Sequence, residues 1–187
     1  IDILRGASYL TLSNKFSNTG GNLQFFLNYG KHKITDGFRS NDINYGASLF
    51  QYFPLFKGNI TTAGIDIKNY GGKASNVLAM NGQGIVFGDK TITEWAPYIY
   101  SQQKFEKLIV SAGFRLENNS VYGNIPVPAG GLSYLMNGAV TLKVAVSKGF
   151  RSPTMMELYL FAPANSELRP EKMTNYEASI LLNFLKN

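Results

Sequence analysis

Apolar and polar residues alternate along most of this chain, which is the period of a β-strand with one apolar face. From Ala139 to Ser147 the apolar set is Val140, Leu142, Val144 and Val146, interleaved with Thr141, Lys143, Ala145 and Ser147. From Asn22 to Gly30 it is Leu23, Phe25, Leu27 and Tyr29, with Phe26 the single misfit on the other face. Leu108 to Glu117 sets Leu108, Val110, Ala112, Phe114 and Leu116 against Ile109, Ser111, Gly113, Arg115 and Glu117. Asn175 to Phe184 does the same more loosely, with Tyr176, Ala178, Ile180, Leu182 and Phe184 on one side. Weaker alternation predicts strands at about 7–16, 43–53, 58–69, 91–103 and 128–135, giving about nine in all.

The connections fall into two classes. Short ones lie near Ser17-Asn18-Thr19-Gly20, Pro54-Leu55-Phe56-Lys57, Lys104-Phe105-Glu106 and Met136-Asn137-Gly138, the last with the Asn-Gly pair of a tight hairpin. Long ones are expected near 31–42, 70–90, 118–127 and 150–172. Antiparallel strands reverse direction at each connection, so all short turns lie at one end and all long loops at the other. That asymmetry predicts an all-β, antiparallel up-and-down transmembrane β-barrel, with turns at the periplasmic rim and loops outside.

The face opposite the apolar one carries Gly, Ser, Thr and Asn with occasional charges, as the lining of a plugged or ligand-filled lumen would. Tyr9, Tyr29, Tyr45, Tyr52, Trp95, Tyr98, Tyr100, Tyr122, Tyr134 and Tyr176 lie mostly towards strand ends, where an aromatic girdle is expected. The longest apolar runs, such as Leu108-Ile109-Val110, are far too short for a membrane-spanning helix.

Composition narrows the chemistry. In 187 residues there is no cysteine and one histidine, which excludes a disulfide framework, a thiol nucleophile, a Cys-based zinc site and any multi-His metal site within this chain. Neither a cofactor nor a bound metal is expected. Charged residues make up 16%, below the roughly 25% of ordinary soluble domains. The formal charge of +6 comes from scattered Lys and Arg with no basic block, so no nucleic-acid partner is expected. The chain opens Ile1-Asp2-Ile3 with no initiator Met, nine strands is an odd count for a bacterial barrel, and the last strand runs on through Phe184-Leu185-Lys186-Asn187 with an unsealed edge. Residues 1–187 are therefore expected to be part of one larger barrel domain.

One segment is more specific. Val146-Ser147-Lys148-Gly149-Phe150-Arg151-Ser152-Pro153 leaves a strand, Glu157-Leu158-Tyr159 suggests a helical turn, and Asn165-Ser166-Glu167-Leu168-Arg169-Pro170-Glu171-Lys172 leads into Asn175-Tyr176-Glu177. This run resembles the pattern found late in the barrels of TonB-dependent outer-membrane receptors, with Ser166 where that pattern usually has Pro. A second stretch resembles the early barrel strands of such receptors in Bacteroidetes-like sequences: Arg5-Gly6, Asn14-Lys15-Phe16, Asn28-Tyr29-Gly30-Lys31-His32 and Asp36-Gly37-Phe38-Arg39-Ser40. The resemblance implies a 22-stranded barrel of the Gram-negative outer membrane, surrounded by its lipid and plugged by an N-terminal domain whose TonB box reaches TonB. Plug, box and remaining strands are outside this chain. The implied function is energy-coupled uptake of a scarce small molecule or metal chelate: first a ferric siderophore, then cobalamin, other chelates and oligosaccharides.

Capture of an anionic, partly planar chelate favours cationic and aromatic side chains on external loops. His32, Lys33, Arg39, Lys73, Tyr122, Arg151, Tyr159 and Arg169 are the candidates; for each the alternative is an ordinary solvated loop residue. Asp66, Lys68, Arg115, Glu117 and Lys143 are expected to face the lumen and plug. Positions 154–164 lack the His that haem receptors of this family place there, which disfavours haem. Asn81-Gly82-Gln83-Gly84-Ile85-Val86-Phe87-Gly88 misses the spacing of a phosphate-binding loop and reads as an external loop, and the glycosylation sequon Asn118-Asn119-Ser120 reads as incidental.

Two alternatives belong to other classes. A small outer-membrane barrel enzyme would need a Ser activated by His32 and Asp36, but no Ser stands in a nucleophile context. A soluble β-sandwich binding module would place the apolar faces in a packed core and the charges outward.

Overall fold

The structure, a computed structural model, describes residues 1–160 and 163–183. Nine antiparallel strands form one sheet in strict sequence order: β1 (Asp2–Phe16), β2 (Thr19–Lys33), β3 (Phe38–Phe53), β4 (Asn59–Asn76), β5 (Ile85–Phe105), β6 (Leu108–Asn119), β7 (Gly123–Leu135), β8 (Val140–Arg151) and β9 (Glu171–Leu182). Each strand pairs with the next, and β1 and β9 are the two edges. Phe184, placed above in the last strand, lies outside the described residues.

Register carries the alternation across the sheet. Leu10 faces Phe25, which faces Ala47, then Ile67, then Trp95, so one row of apolar side chains crosses five strands. Further on, Phe114 faces Pro128, and Leu132 faces Val144, which faces Ala178. These residues are exposed: Phe25 is 44%, Phe114 46% and Val144 50% accessible. Only Ala74, Ile92, Ala96, Ile125 and Leu158 are buried hydrophobic residues among those described. The accessible surface of 12714 Å² for 20.7 kDa compares with about 8,900 Å² for a folded soluble monomer of that mass. A single layer with an exposed apolar face has no sandwich core, which overturns the soluble-module alternative.

The strands run further than alternation alone predicts. Three of the four expected long loops are short: residues 34–37, 77–84 and 120–122 connect strands that continue well past the apolar band. Only 152–170 is long, and it contains the expected helical turn, at Met156–Leu160. The asymmetry between the two ends therefore lies mainly in strand extension rather than loop length. At the other end the Asn-Gly turn forms as expected, with Asn137 Oδ1 accepting the amides of Ala139 and Val140 at 2.9 Å.

The aromatic residues divide between the faces. Tyr29, Tyr45, Trp95, Tyr134 and Tyr176 lie on the apolar face, whereas register puts Tyr9, Tyr52, Tyr98 and Tyr100 on the polar one. These four are not girdle residues. Phe26, out of pattern in the sequence, covers Gly46: a Cβ there would lie 2.8 Å from its ring. Tyr98 covers Gly64 in the same way. Bulky rings on the polar face thus stand over glycines, which leave room for them.

Candidate functional site

The polar face gathers charge at the end where the strands extend. Asp66 on β4 and Arg115 on β6 are ion-paired although β5 lies between them. The residue beside Asp66 on β5 is Ala96, and its small side chain lets the guanidinium pass over. Arg115 Nε also donates to Glu117 at 3.0 Å, and Ser48 donates to Asp66. Next to this group, Lys68 Nζ lies 2.7 Å from Glu94, its direct cross-strand neighbour. Glu94 also accepts from Tyr70 Oη at 2.9 Å and Asn119 Nδ2 at 2.8 Å. Glu94 and Glu117 are 8% and 6% exposed, and a carboxylate so buried persists because its lone pairs are satisfied. Lys68 Nζ stands 4.6 Å above the Tyr70 ring, a cation–π contact.

Hydrogen bonds tie this cluster to the connections above it. Asn119 Oδ1 accepts the Val121 amide at 2.8 Å, and Tyr122 Oη meets Ser152 Oγ at 2.6 Å. Burial raises the Tyr122 phenol above its ordinary pKa, so it stays a neutral hydrogen-bonding group. Arg151 forks between Glu157 and Glu171 at 3.0–3.2 Å. Glu157 also accepts the Thr154 amide and hydroxyl, at 2.7 and 3.0 Å. The amide bond first, and Arg151 second, lower the Glu157 carboxyl to about 2. The Met156–Leu160 turn thus sits in a clasp, and it reaches back over the sheet to put Tyr159 over Lys90 Nζ on β5, at 5.3 Å.

Two clefts open beneath this turn. One, of about 510 Å³, has residues 40–44 and 71–74 as its floor and is lined by Arg5, His32, Lys68, Tyr70, Met155 and Leu160. The other, of about 640 Å³, shares Lys68, Tyr70 and Met155 and extends to Glu94, Arg115 and Glu117. In the first, Asn44 Oδ1 is buried with no hydrogen-bond partner among the described residues. His32 is held at both nitrogens, with Arg5 Nη2 3.0 Å from Nε2 and Ser40 Oγ 3.0 Å from Nδ1. Because arginine only donates, Nε2 is the acceptor and Nδ1 carries the proton, pointing at Ser40 and at Asp42, 3.4 Å away. With neither nitrogen free, His32 is poorly placed to ligate iron.

The expected binding residues therefore separate. His32, Lys33, Arg39, Lys73 and Arg151 lie in strands, not loops; Tyr122, Tyr159 and Arg169 lie in connections. His32 lines the cleft, while register puts the side chains of Lys33, Arg39 and Lys73 on the opposite face, although Lys73 is also part of the cleft floor. Arg151, Tyr122 and Tyr159 hold the loop itself, and Arg169 is exposed. Of the residues expected to face the lumen, Asp66, Lys68, Arg115 and Glu117 form one cluster on the polar face. Lys143 shares that face but lies in a separate cleft of about 320 Å³ with Ser111, Glu177 and Ser179. Alternation did not single out Arg5, Asn44, Tyr70 or Glu94; Glu94 had one signal, a charge on the face that also carries Tyr98. No group of three metal-ligating side chains occurs among the described residues.

Comparison with known proteins agrees with this architecture. Residues 2–186 match the family model described as TonB dependent receptor-like, beta-barrel. No curated protein matches the chain by sequence. Among solved structures, the siderophore receptor PirA from Pseudomonas aeruginosa superposes with a TM-score of 0.81 at 15% identity, over 97% of this chain and 36% of its own. A ferric enterobactin receptor mutant, PfeA from Pseudomonas aeruginosa in complex with enterobactin, gives 0.76 at 13%, over 97% and 33%. The copper transporter OprC gives 0.76 at 14%, over 96% and 36%. The chain thus spans about a third of the length of these structures.

Proposed function

Because the chain belongs to the TonB-dependent receptor β-barrel family, we propose that it is part of an outer-membrane receptor that takes up a scarce ligand with energy coupled through TonB. The observation that carries this is the two-sided sheet: an exposed apolar face on one side, and on the other a polar face that carries a cluster of paired charges. Lipid covers the first. The second lines a lumen filled by an N-terminal plug, and the unpaired edges of β1 and β9 join further strands of the barrel. The end bearing residues 152–170 faces outside.

The ligand we propose is a ferric siderophore or similar metal chelate, captured at the cleft beneath the Met156–Leu160 turn. Arg5 offers positive charge with no acid paired to it among the described residues, and Tyr70 an aromatic ring, which suits an anionic, partly planar chelate. The names of PirA and PfeA support the same class, and that of OprC leaves copper as the competing cargo. The test is uptake of radiolabelled iron, offered on a panel of siderophores, by cells whose only receptor of this class contains this chain. TonB-dependent accumulation from at least one siderophore is expected. Accumulation of copper but of no ferric siderophore would refute the ligand, and uptake unchanged by loss of TonB would refute the coupling.

A further inference from the structure

The apolar face changes character at the end where the strands extend. Tyr29 faces Ile43 at the upper edge of the apolar band; two residues higher Lys31 faces Asn41, and two higher again Lys33 faces Arg39. Asn41 in turn faces Lys73. Four cations, Lys31, Lys33, Arg39 and Lys73, thus share a patch about 7 Å high and 10 Å wide, directly above the apolar band and on the same side of the sheet. All four are exposed, and none belongs to an ion pair among the described residues. Two acids share this face: Asp2 lies opposite Lys33, Asp89 opposite Lys73, and neither closes a bridge. By contrast, Asp42, Asp66 and Glu94 point to the other face, where Asp42 lies beside His32 Nδ1 and the other two are ion-paired with Arg115 and Lys68.

Like charges directly across a strand pair repel, so a patch of this kind persists where an anion neutralises it. Its position selects the anion. Acyl chains against the band at Tyr29 and Ile43 bring their headgroups to the level of Lys31 and above, whereas a free phosphate gains nothing from the apolar surface below. Arg39 supplies a fork for two phosphate oxygens and the lysines supply point charges. We infer that Lys31, Lys33, Arg39 and Lys73 bind the phosphates of a phosphorylated lipid of the outer leaflet, on the outside of the barrel and on the face opposite the ligand cleft. This rests on the apolar face lying in the membrane.

The test uses the full-length receptor in phosphatidylethanolamine vesicles containing lipid A, with native mass spectrometry counting the lipid A retained. Wild type retains it, lipid A stripped of phosphate is retained at least tenfold less, and inorganic pyrophosphate does not displace it. The combined Lys31→Gln, Lys33→Gln, Arg39→Gln and Lys73→Gln variant loses at least tenfold. Matching substitutions at Lys15, Lys57, Lys104 and Lys107, towards the opposite rim, change nothing, and Lys→Arg replacements at the patch keep binding. Equal retention by the Gln variant, equal retention of the dephosphorylated lipid, or displacement by pyrophosphate overturns the inference. A wild type that inserts but retains no lipid A overturns it alone, whereas a wild type that does not insert overturns the barrel reading on which it rests.

Discussion

Adjacent residues on β8 offer a sharp contrast, because Val144 and Ala145 point to opposite faces at nearly the same height. Val144 lies on the apolar face between Leu132 and Ala178 and is 50% exposed. Ala145 lies on the polar face between Gly131 and Glu177. The apolar set on β8 runs from Val140 to Val146, about 20 Å along the strand and about 15 Å in height at a tilt near 40°. Val144 is one residue from its centre, about 3 Å from the midplane on the same geometry. A lysine there meets nearly the full midplane penalty of about 2 to 4 kcal/mol, a factor of roughly 30 to 900 in the folding equilibrium. Val144→Lys is expected to lower stability by that amount in a denaturant titration of the receptor folded into vesicles. Ala145→Lys, placed beside Glu177 in an aqueous cleft, is expected to change it by less than about 0.5 kcal/mol. Equal costs, or a larger cost at Ala145, would refute the assignment of faces.

Other consequences are equally specific. Arg115→Met leaves Glu117, 6% exposed, without its ion partner and is expected to cost about 2 to 3 kcal/mol in the same titration; adding Glu117→Gln should recover at least about 1 kcal/mol, and no recovery would count against the pairing. The Glu157 carboxyl is held low, so its contribution to the clasp is present above the ordinary carboxylate value and is lost as pH falls through about 2. Hydrogen exchange of residues 152–160 should therefore stay protected from neutral pH down to the ordinary carboxylate value near 4.5 and rise progressively from there towards about 2, while Glu157→Gln is unprotected at every pH.

Where one face met apolar surroundings, the strands were legible, and Leu108–Asn119 and Val140–Arg151 are found close to where alternation puts them. Strand length was not. Above the apolar band Asn41, Asp42, Gly71 and Gly72 are polar or small on both faces, so the period disappears although the hydrogen-bond ladder continues. Asp66, Lys68, Arg115 and Glu117 each alternate with apolar neighbours, and register gathers them on one face of the sheet. Their pairing was hidden: Asp66 and Arg115 are separated by 49 positions and meet only because Ala96 is small. The same holds for His32, whose bond to Arg5 depends on the register of β1 against β2. Arg151 read as a ligand-binding loop cation, yet its charge is spent on Glu157 and Glu171, whose positions depend on the path of 152–170.

The absence of cysteine makes the central claim directly measurable. Ala164 lies exposed in the long connection at one end of the sheet, and Asn137 lies exposed in the tight turn at the other. Ala164→Cys and Asn137→Cys, each introduced singly into the full-length receptor, would be treated in intact cells with a membrane-impermeant thiol reagent against the unsubstituted receptor as background. Labelling at 164 and none at 137 is the result expected of a sheet that crosses the outer membrane with its extended strand ends outside. Equal labelling at both positions, or labelling at 137 alone, would contradict it.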